Sequence, residues 1–295
     1  MIPDSIGAYV NYYLNSLGLN DLSGSSFIEA LIYIRLSKPP LIPDLIKFIV
    51  EGVVPTRLVD TEEFKFELAR LTVVKDVKEL DSTLSELLTN DLNEVYYYLP
   101  NTYVNYLNTL LESSELGLLY ATLTSKDTSN RNLKFIKLQD YEVCRGRGFS
   151  CIVSKHLSRL KDVCEDVGED YEPAIAIATL YDILQYVRYL DNLEVLGLRR
   201  DVEVGDLVVE GVKFFRGVGA LYFEVGLEQI LRTSKKFRVG TLERFIEEVS
   251  TLYQLSKDVL YYRGGVLNLL TLYSIDRLLR YELLRVLFSR WLRPW

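Results

Sequence analysis

The sequence predicts a mainly α protein, a multi-helix bundle. Three observations predict it. Apolar residues recur at i, i+3, i+4 and i+7 along most of the chain. Ser, Thr, Asp or Pro stands where these runs begin, and Gly or Pro where they stop. Only one stretch, near 205–226, is rich enough in β-branched, aromatic and Gly residues to allow short strands.

The elements follow in order. Residues 5–18, SIGAYVNYYLNSLG, start at a Ser cap and stop at Gly18. SGSSFIEALIYIRLSK puts Phe27, Leu31 and Ile34 at helical spacing and stops before Pro39-Pro40. PDLIKFIVEG is a short helix with Pro43 near its start and Gly52 at its end. TEEFKFELARLTVV is helical. In DVKELDSTLSELLTNDLNEVYYYL a stripe of Val77, Leu80, Leu84, Leu87, Leu88 and Leu92 forms one face, and Asp81 offers a second starting point. After Pro100, TYVNYLNTLLESSELGLLYATLTS places Tyr103, Tyr106, Leu107, Leu110 and Leu111 on one face. CRGRGFSC at 144–151 is the sharpest break. VSKHLSRLKDVCEDVG runs to Gly168, and EPAIAIATLYDILQYVRYLDNLEVLG runs from Pro173 to Gly197. GDLVVEGVKFFRGVGALYFEVG is the ambiguous stretch, because each interior Gly weakens a helix by about 1 kcal/mol. TLERFIEEVSTLYQLSKDVLYY follows with Thr241 as a cap. GGVLNLLTLYSIDRLLRYELLRVLFSRWLRPW is apolar on nearly every side, so most of it belongs inside the bundle.

The 295 residues are 48% apolar and 25% charged, which excludes disorder and is enough for one helical domain over 1–295. One His, one Met and a high density of charge suit a hot habitat. The net charge of −7 is unevenly spread: from Arg232 onward twelve Lys and Arg face six Asp and Glu, so the acidic excess lies upstream. Such a split points to two faces with different partners, or to a basic tail packed on an acidic body. Three Cys are an odd count, which excludes a full disulfide framework and makes a reducing cytoplasm the expected setting. The first residues lack the basic region of a signal peptide, and no 18-residue apolar run lacks charge.

Candidate chemistry is sparse. His156 is the one His, and Cys144, Cys151 and Cys164 around it have the ligand count of a structural zinc site. Their spacing is not that of the tight Cys-x2–4-Cys pairs, so the expectation is three buried or half-buried thiols and a surface His, with no metal. An enzyme centred on Cys151 and His156 is the least favoured reading. Arg145-Gly146-Arg147-Gly148 offers guanidinium groups and free amides to a phosphate. It lacks the rest of a nucleotide motif and reads as a solvated loop. The densest basic run is Arg232, Lys235, Lys236 and Arg238, with Phe237 among them. It is expected at an interface, and nucleic acid is the alternative partner, although the acidic whole argues against it. Glu62-Glu63, Glu169-Asp170 and Glu247-Glu248 read as solvated faces. In the last helix, Asp276–Arg280 and Glu282–Arg285 have the spacing to pair along the helix, and Arg280 and Arg285 join the expected interface residues. SRWLRPW mixes Trp with Arg, an interface composition. No catalytic residue and no cofactor is expected.

Residues 127–138 read DTSNRNLKFIKL and residues 191–200 read DNLEVLGLRR. Each has an acid, then Asn-Leu, then apolar and basic residues, as in a structural unit used more than once. Together with YIRLSKPPLIPDLIKFIVEG early on and LYSIDRLLRYELLRVLF at the end, they make the chain resemble the C/d family of central-stalk proteins, found in archaeal A-type ATP synthases and vacuolar ATPases. The residues that carry the likeness are Tyr33 and Arg35; Asp127, Asn132, Leu133 and Lys134; Asp191, Asn192 and Leu193; and Tyr281, Glu282 and Arg285. The resemblance implies a funnel of three helical pseudo-repeats, here 1–140, 141–240 and 241–295. It implies a non-catalytic component of the central stalk, cytoplasmic and peripheral to the membrane, whose partners are the stalk subunits and the membrane rotor ring. A helical subunit of a nucleic-acid-processing complex, of primase or CRISPR type, is the alternative.

Overall fold

The computed structural model describes residues 24–37, 42–124, 133–168, 170–195, 215 and 217–292. The helix expected at 5–18, the Asp127 and Asn132 of the first echo and the 205–214 part of the strand candidate lie outside the described residues.

The protein is mainly α, and no strand occurs among the described residues. The helices are α1 (Gly24–Ser37), α2 (Ile42–Glu51), α3 (Thr56–Val59), α4 (Glu62–Thr72), α5 (Val77–Tyr96), α6 (Asn101–Glu112), α7 (Leu116–Thr124), α8 (Phe149–Glu165), α9 (Glu172–Val195), α10 (Val218–Lys236), α11 (Leu242–Ser256) and α12 (Val266–Trp291). None of them is long and apolar enough to cross a membrane.

Local chemistry sets most boundaries. Asp76 caps α5 by accepting from the Glu79 amide at 2.8 Å, and Thr241 caps α11 through the Arg244 amide. α5 is continuous through Asp81 and buries Leu80, Leu84, Leu87, Leu88, Leu92 and Val95, whereas Val77 of the expected stripe is exposed. The long helix expected after Pro100 is divided into α6 and α7 by a 3-10 turn at Ser113–Glu115.

The largest departure from expectation is at 218–226, where the chain is helical as part of α10. The glycines that argue against helix are there for contact. A Cβ on Gly226 would stand 2.3 Å from Leu180 Cδ1 on α9 and 2.6 Å from Leu255 Cδ2 on α11, so any larger residue there forces these two Leu side chains to shift.

α12 is the axis of the bundle. It packs against α1, α2, α5, α6, α9 and α11, and twenty of its residues are buried. Gly264 and Gly265 precede it with φ of +67° and +80°, turning the chain sharply into the core. A fully buried Leu contributes roughly 1.5–3 kcal/mol, so this one helix supplies a large share of the core.

Its charges do not pair along the helix as their spacing predicts. Arg280 reaches Glu67 of α4 and, at 3.4 Å, Asp91 of α5. Asp276 meets its neighbour Arg277 at 3.2 Å, and the Arg277 Nη2 donates to the Arg35 carbonyl of α1 at 2.9 Å. The Tyr281 hydroxyl donates to Asp91 at 3.0 Å. Burial raises the pKa of Asp276, against the pull of Arg277 and Arg280. Buried charges satisfy themselves wherever the partner is, and here the partners come from helices far away in sequence.

Two further expectations are corrected. Cys144 and Cys151 form a disulfide, and Cys164 is a buried thiol outside it. His156 is fully buried, not on the surface. Among the described residues no group of three or more His, Cys, Asp and Glu side chains is arranged to hold a metal ion.

Candidate functional site

α9 is the wall between two polar clusters. Tyr181, Gln185 and Arg188 follow one another at i, i+4 and i+7 and share one face, while Asp182 is turned to another.

On the Asp182 side the His156–Asp182 pair is sealed from solvent. His156 of α8 has Nδ1 2.8 Å from Asp182 Oδ2 and Nε2 2.8 Å from the Thr109 carbonyl of α6. A carbonyl only accepts, and the carboxylate accepts as well. An imidazole that donates from both nitrogens is an imidazolium. Burial pulls its pKa down, but Asp182, the Thr109 carbonyl and Glu112 outweigh burial and leave it raised. One turn further along α8, Arg159 donates to Glu112 of α6 at 2.7 Å and to Asp140 at 2.8 Å. The Tyr141 hydroxyl donates to the other Glu112 oxygen at 2.6 Å. Burial, first, and then Glu112 push the Tyr141 phenol far up.

On the Arg188 side lies an open cleft of about 860 Å³, walled by α5, α9, α11 and α12 and by the bend at 134–135. Its floor is a chain of charges. Glu282 of α12 accepts from the Tyr181 hydroxyl at 2.8 Å, Gln185 Nε2 at 2.5 Å and Arg188 Nη1 at 2.5 Å. Arg188 Nε donates to Glu248 of α11 at 3.0 Å, and Arg244 bridges Glu248 at 2.9 Å and Asp191 at 2.7 Å. At the rim Arg285 grips Asp81 of α5 with two bonds of 2.6 and 3.2 Å. Burial opposes the charge of Arg188, but Glu282 and Glu248 outweigh it and raise its pKa. Arg188 Nη2 has no hydrogen-bond partner among the described residues.

The described part of the first echo is fixed here too. The backbone amides of Lys134, Phe135 and Ile136 all donate to the Glu115 carboxylate, at 2.7, 2.9 and 3.1 Å. That one carboxylate explains why 134–136 keeps a defined path without regular structure. Lys134 in turn reaches Ser85 of α5.

Lys134, Asp191, Glu282 and Arg285, from three distant stretches of the sequence, therefore line one cleft. The other expected interface residues are placed differently. Arg280 is buried in the α4–α5–α12 ion network and presents no surface. Arg232, Lys235 and Lys236 are exposed on the last two turns of α10, and Arg238 follows in the turn that leads to Gly240 and Thr241 at the cleft edge. Arg232 is already paired with Glu228, and Lys236 with Glu247 of α11. Of the paired acids, Glu247 is on that outer side, whereas its neighbour Glu248 is a buried hub between two arginines.

Arg188, Arg244 and Asp182 do not stand out in the sequence, and His156, Glu248 and Asp81 stand out there only for other roles. The signal that finds two of them, Asp182 and Arg188, is a polar residue inside an apolar helix: in IAIATLYDILQYVRYLD, Asp182, Gln185, Arg188 and Asp191 all interrupt an otherwise buried run and each demands a partner. Set against models of protein families, against curated proteins and against solved structures, the chain matches none.

Proposed function

We propose that the protein is a non-catalytic coupling component of a rotary ATP synthase or ATPase, with the charged cleft as the socket that takes the foot of the central stalk. The observation that carries this reading is the meeting of Lys134, Asp191, Glu282 and Arg285 in one cleft, since these residues also carry the resemblance to that family. The way the cleft is built supports it further. Its ion pairs join α5 to α12, α9 to α12 and α9 to α11, so a load applied to one wall is shared by the others. A part that transmits torque needs such cross-ties and does not need a reacting group.

In this reading the protein sits at the cytoplasmic face of the membrane, peripheral to it, with the rotor ring on one side and the stalk on the other. The test is purification from the native source under mild detergent. Recovery with stalk subunits and a membrane ring is the expected result. Recovery with a polymerase, primase or nuclease overturns it in favour of the nucleic-acid assignment, where Lys235 and Arg238 would be the first contacts to change, with a steep loss of binding in salt.

A further inference from the structure

We propose that the Cys144–Cys151 disulfide is a redox latch on the Arg145-Gly146-Arg147-Gly148 loop. The bond closes CRGRGFSC into a ring and joins the 3-10 segment Leu138–Cys144 to the first turn of α8. Those two elements supply the two halves of one half-buried ion cluster, Asp140 and Tyr141 from the first, Arg159 from the second. Cys144 is buried and Cys151 is half-buried, while all four residues of the loop between them are exposed. The bond is therefore at the boundary between a fixed interior and a solvated loop, within reach of a small thiol.

The loop has little else to hold it. Among the described residues Arg145 pairs only with its near neighbour Glu142, at 2.8 Å, and Gly146 takes the left-handed region with φ of +73°. Beyond the bond, α8 is anchored by the Phe149 ring stacked 3.6 Å from Tyr186 of α9, a contact that survives reduction. Opening the bond thus frees the loop and leaves the helix in place. In the step, a dithiol reductant attacks one sulfur, the S–S bond breaks, and a second attack within the mixed disulfide closes the reductant's own disulfide. Two electrons and two protons pass to the protein, which is left with two thiols. The buried Cys164 takes no part.

The experiment uses the full chain purified in air. After unfolding without reductant, an alkylating reagent is expected to add one group, at Cys164, and after dithiothreitol three. On the folded protein, trypsin is expected to cut at Arg145 or Arg147 at least about 5-fold faster after reduction, because cleavage follows loop opening. The two fragments stay joined on a non-reducing gel only in the oxidised form. The melting temperature should fall on the order of 5 °C on reduction. Cys144→Ser/Cys151→Ser should cleave at the fast rate in both conditions, and Cys164→Ser should respond like the wild type. Should the double variant fail to fold, the oxidised and reduced wild type still decide. Three alkylated cysteines without reductant, or equal trypsin rates in both redox states, overturn the latch.

Discussion

His156 and Arg188 each stand between acceptors contributed by neighbouring helices, on opposite sides of α9. Both side chains of the His156–Asp182 pair are fully buried, whereas Arg188 and Glu282 keep 17% and 22% of their side-chain surface at the cleft. The chemistry is similar and the solvent is not. In the sealed cluster a lost partner leaves a charge with nothing to replace it. At the cleft, water takes over part of the work, so partners can be exchanged at a modest cost. One cluster holds the fold, and the other is able to meet something from outside.

The strongest way to break this contrast is Asp182→Ala. It strands the imidazolium between α6 and α8 and should cost about 3–5 kcal/mol, read by urea unfolding. A loss under about 1 kcal/mol would mean the seal does not matter. Gly226→Ala comes next, at about 1–3 kcal/mol by overpacking, because the new methyl drives into Leu180 on the wall helix itself. Glu282→Ala should cost less, about 1–2 kcal/mol, since Arg188 keeps Glu248 and gains water. A larger loss for Glu282→Ala than for Asp182→Ala reverses the comparison.

The pH dependence sharpens it. The folded pKa of His156 is raised above its ordinary value near 6.5, so the folded state binds this proton more tightly than the unfolded one. The stabilisation is complete below about pH 6.5 and is lost as pH rises through the raised folded value. With one His in the chain, its NMR signal reports the titration without ambiguity, and the midpoint should lie above about 6.5. The smallest effect is expected at Arg232→Ala. Its partner Glu228 and the arginine itself are largely exposed, and stability should change by no more than about 0.5 kcal/mol.

Much of the fold is legible in the sequence, and the reasons are local. Pro173 in the first turn marks α9, Pro100 marks α6, and the absence of a polar side marks α12 as the buried axis. What escapes is long-range. Spacing shows that Asp276 and Arg280 can touch, but not that Glu67 offers Arg280 a better-placed carboxylate 213 residues away. Nor does spacing tell a Gly that loosens a helix from one that lets two helices close, which is why 218–226 reads as strand-prone. His156 reads as a surface residue because its partner is on another helix. Asp182, an acid in a run of Ile, Ala, Leu and Tyr, is the visible half of that pair. Of the cleft, Lys134, Asp191, Glu282 and Arg285 stand out in the sequence, but Arg188 and Arg244, which tie its walls together, do not.

The place of α12 has a consequence for how the chain is made. It is the last described helix to leave the ribosome, and six earlier helices close on it. Until residue 266 and those after it emerge, the sides of α1, α2, α5, α6 and α9 that face α12 stay uncovered, although α9 packs on α10 and α6 on α8 without it. Assembly of the interior is thus deferred until α12 has been synthesised. A nascent chain stalled before it presents a chaperone with the apolar surfaces that α12 covers in the finished protein.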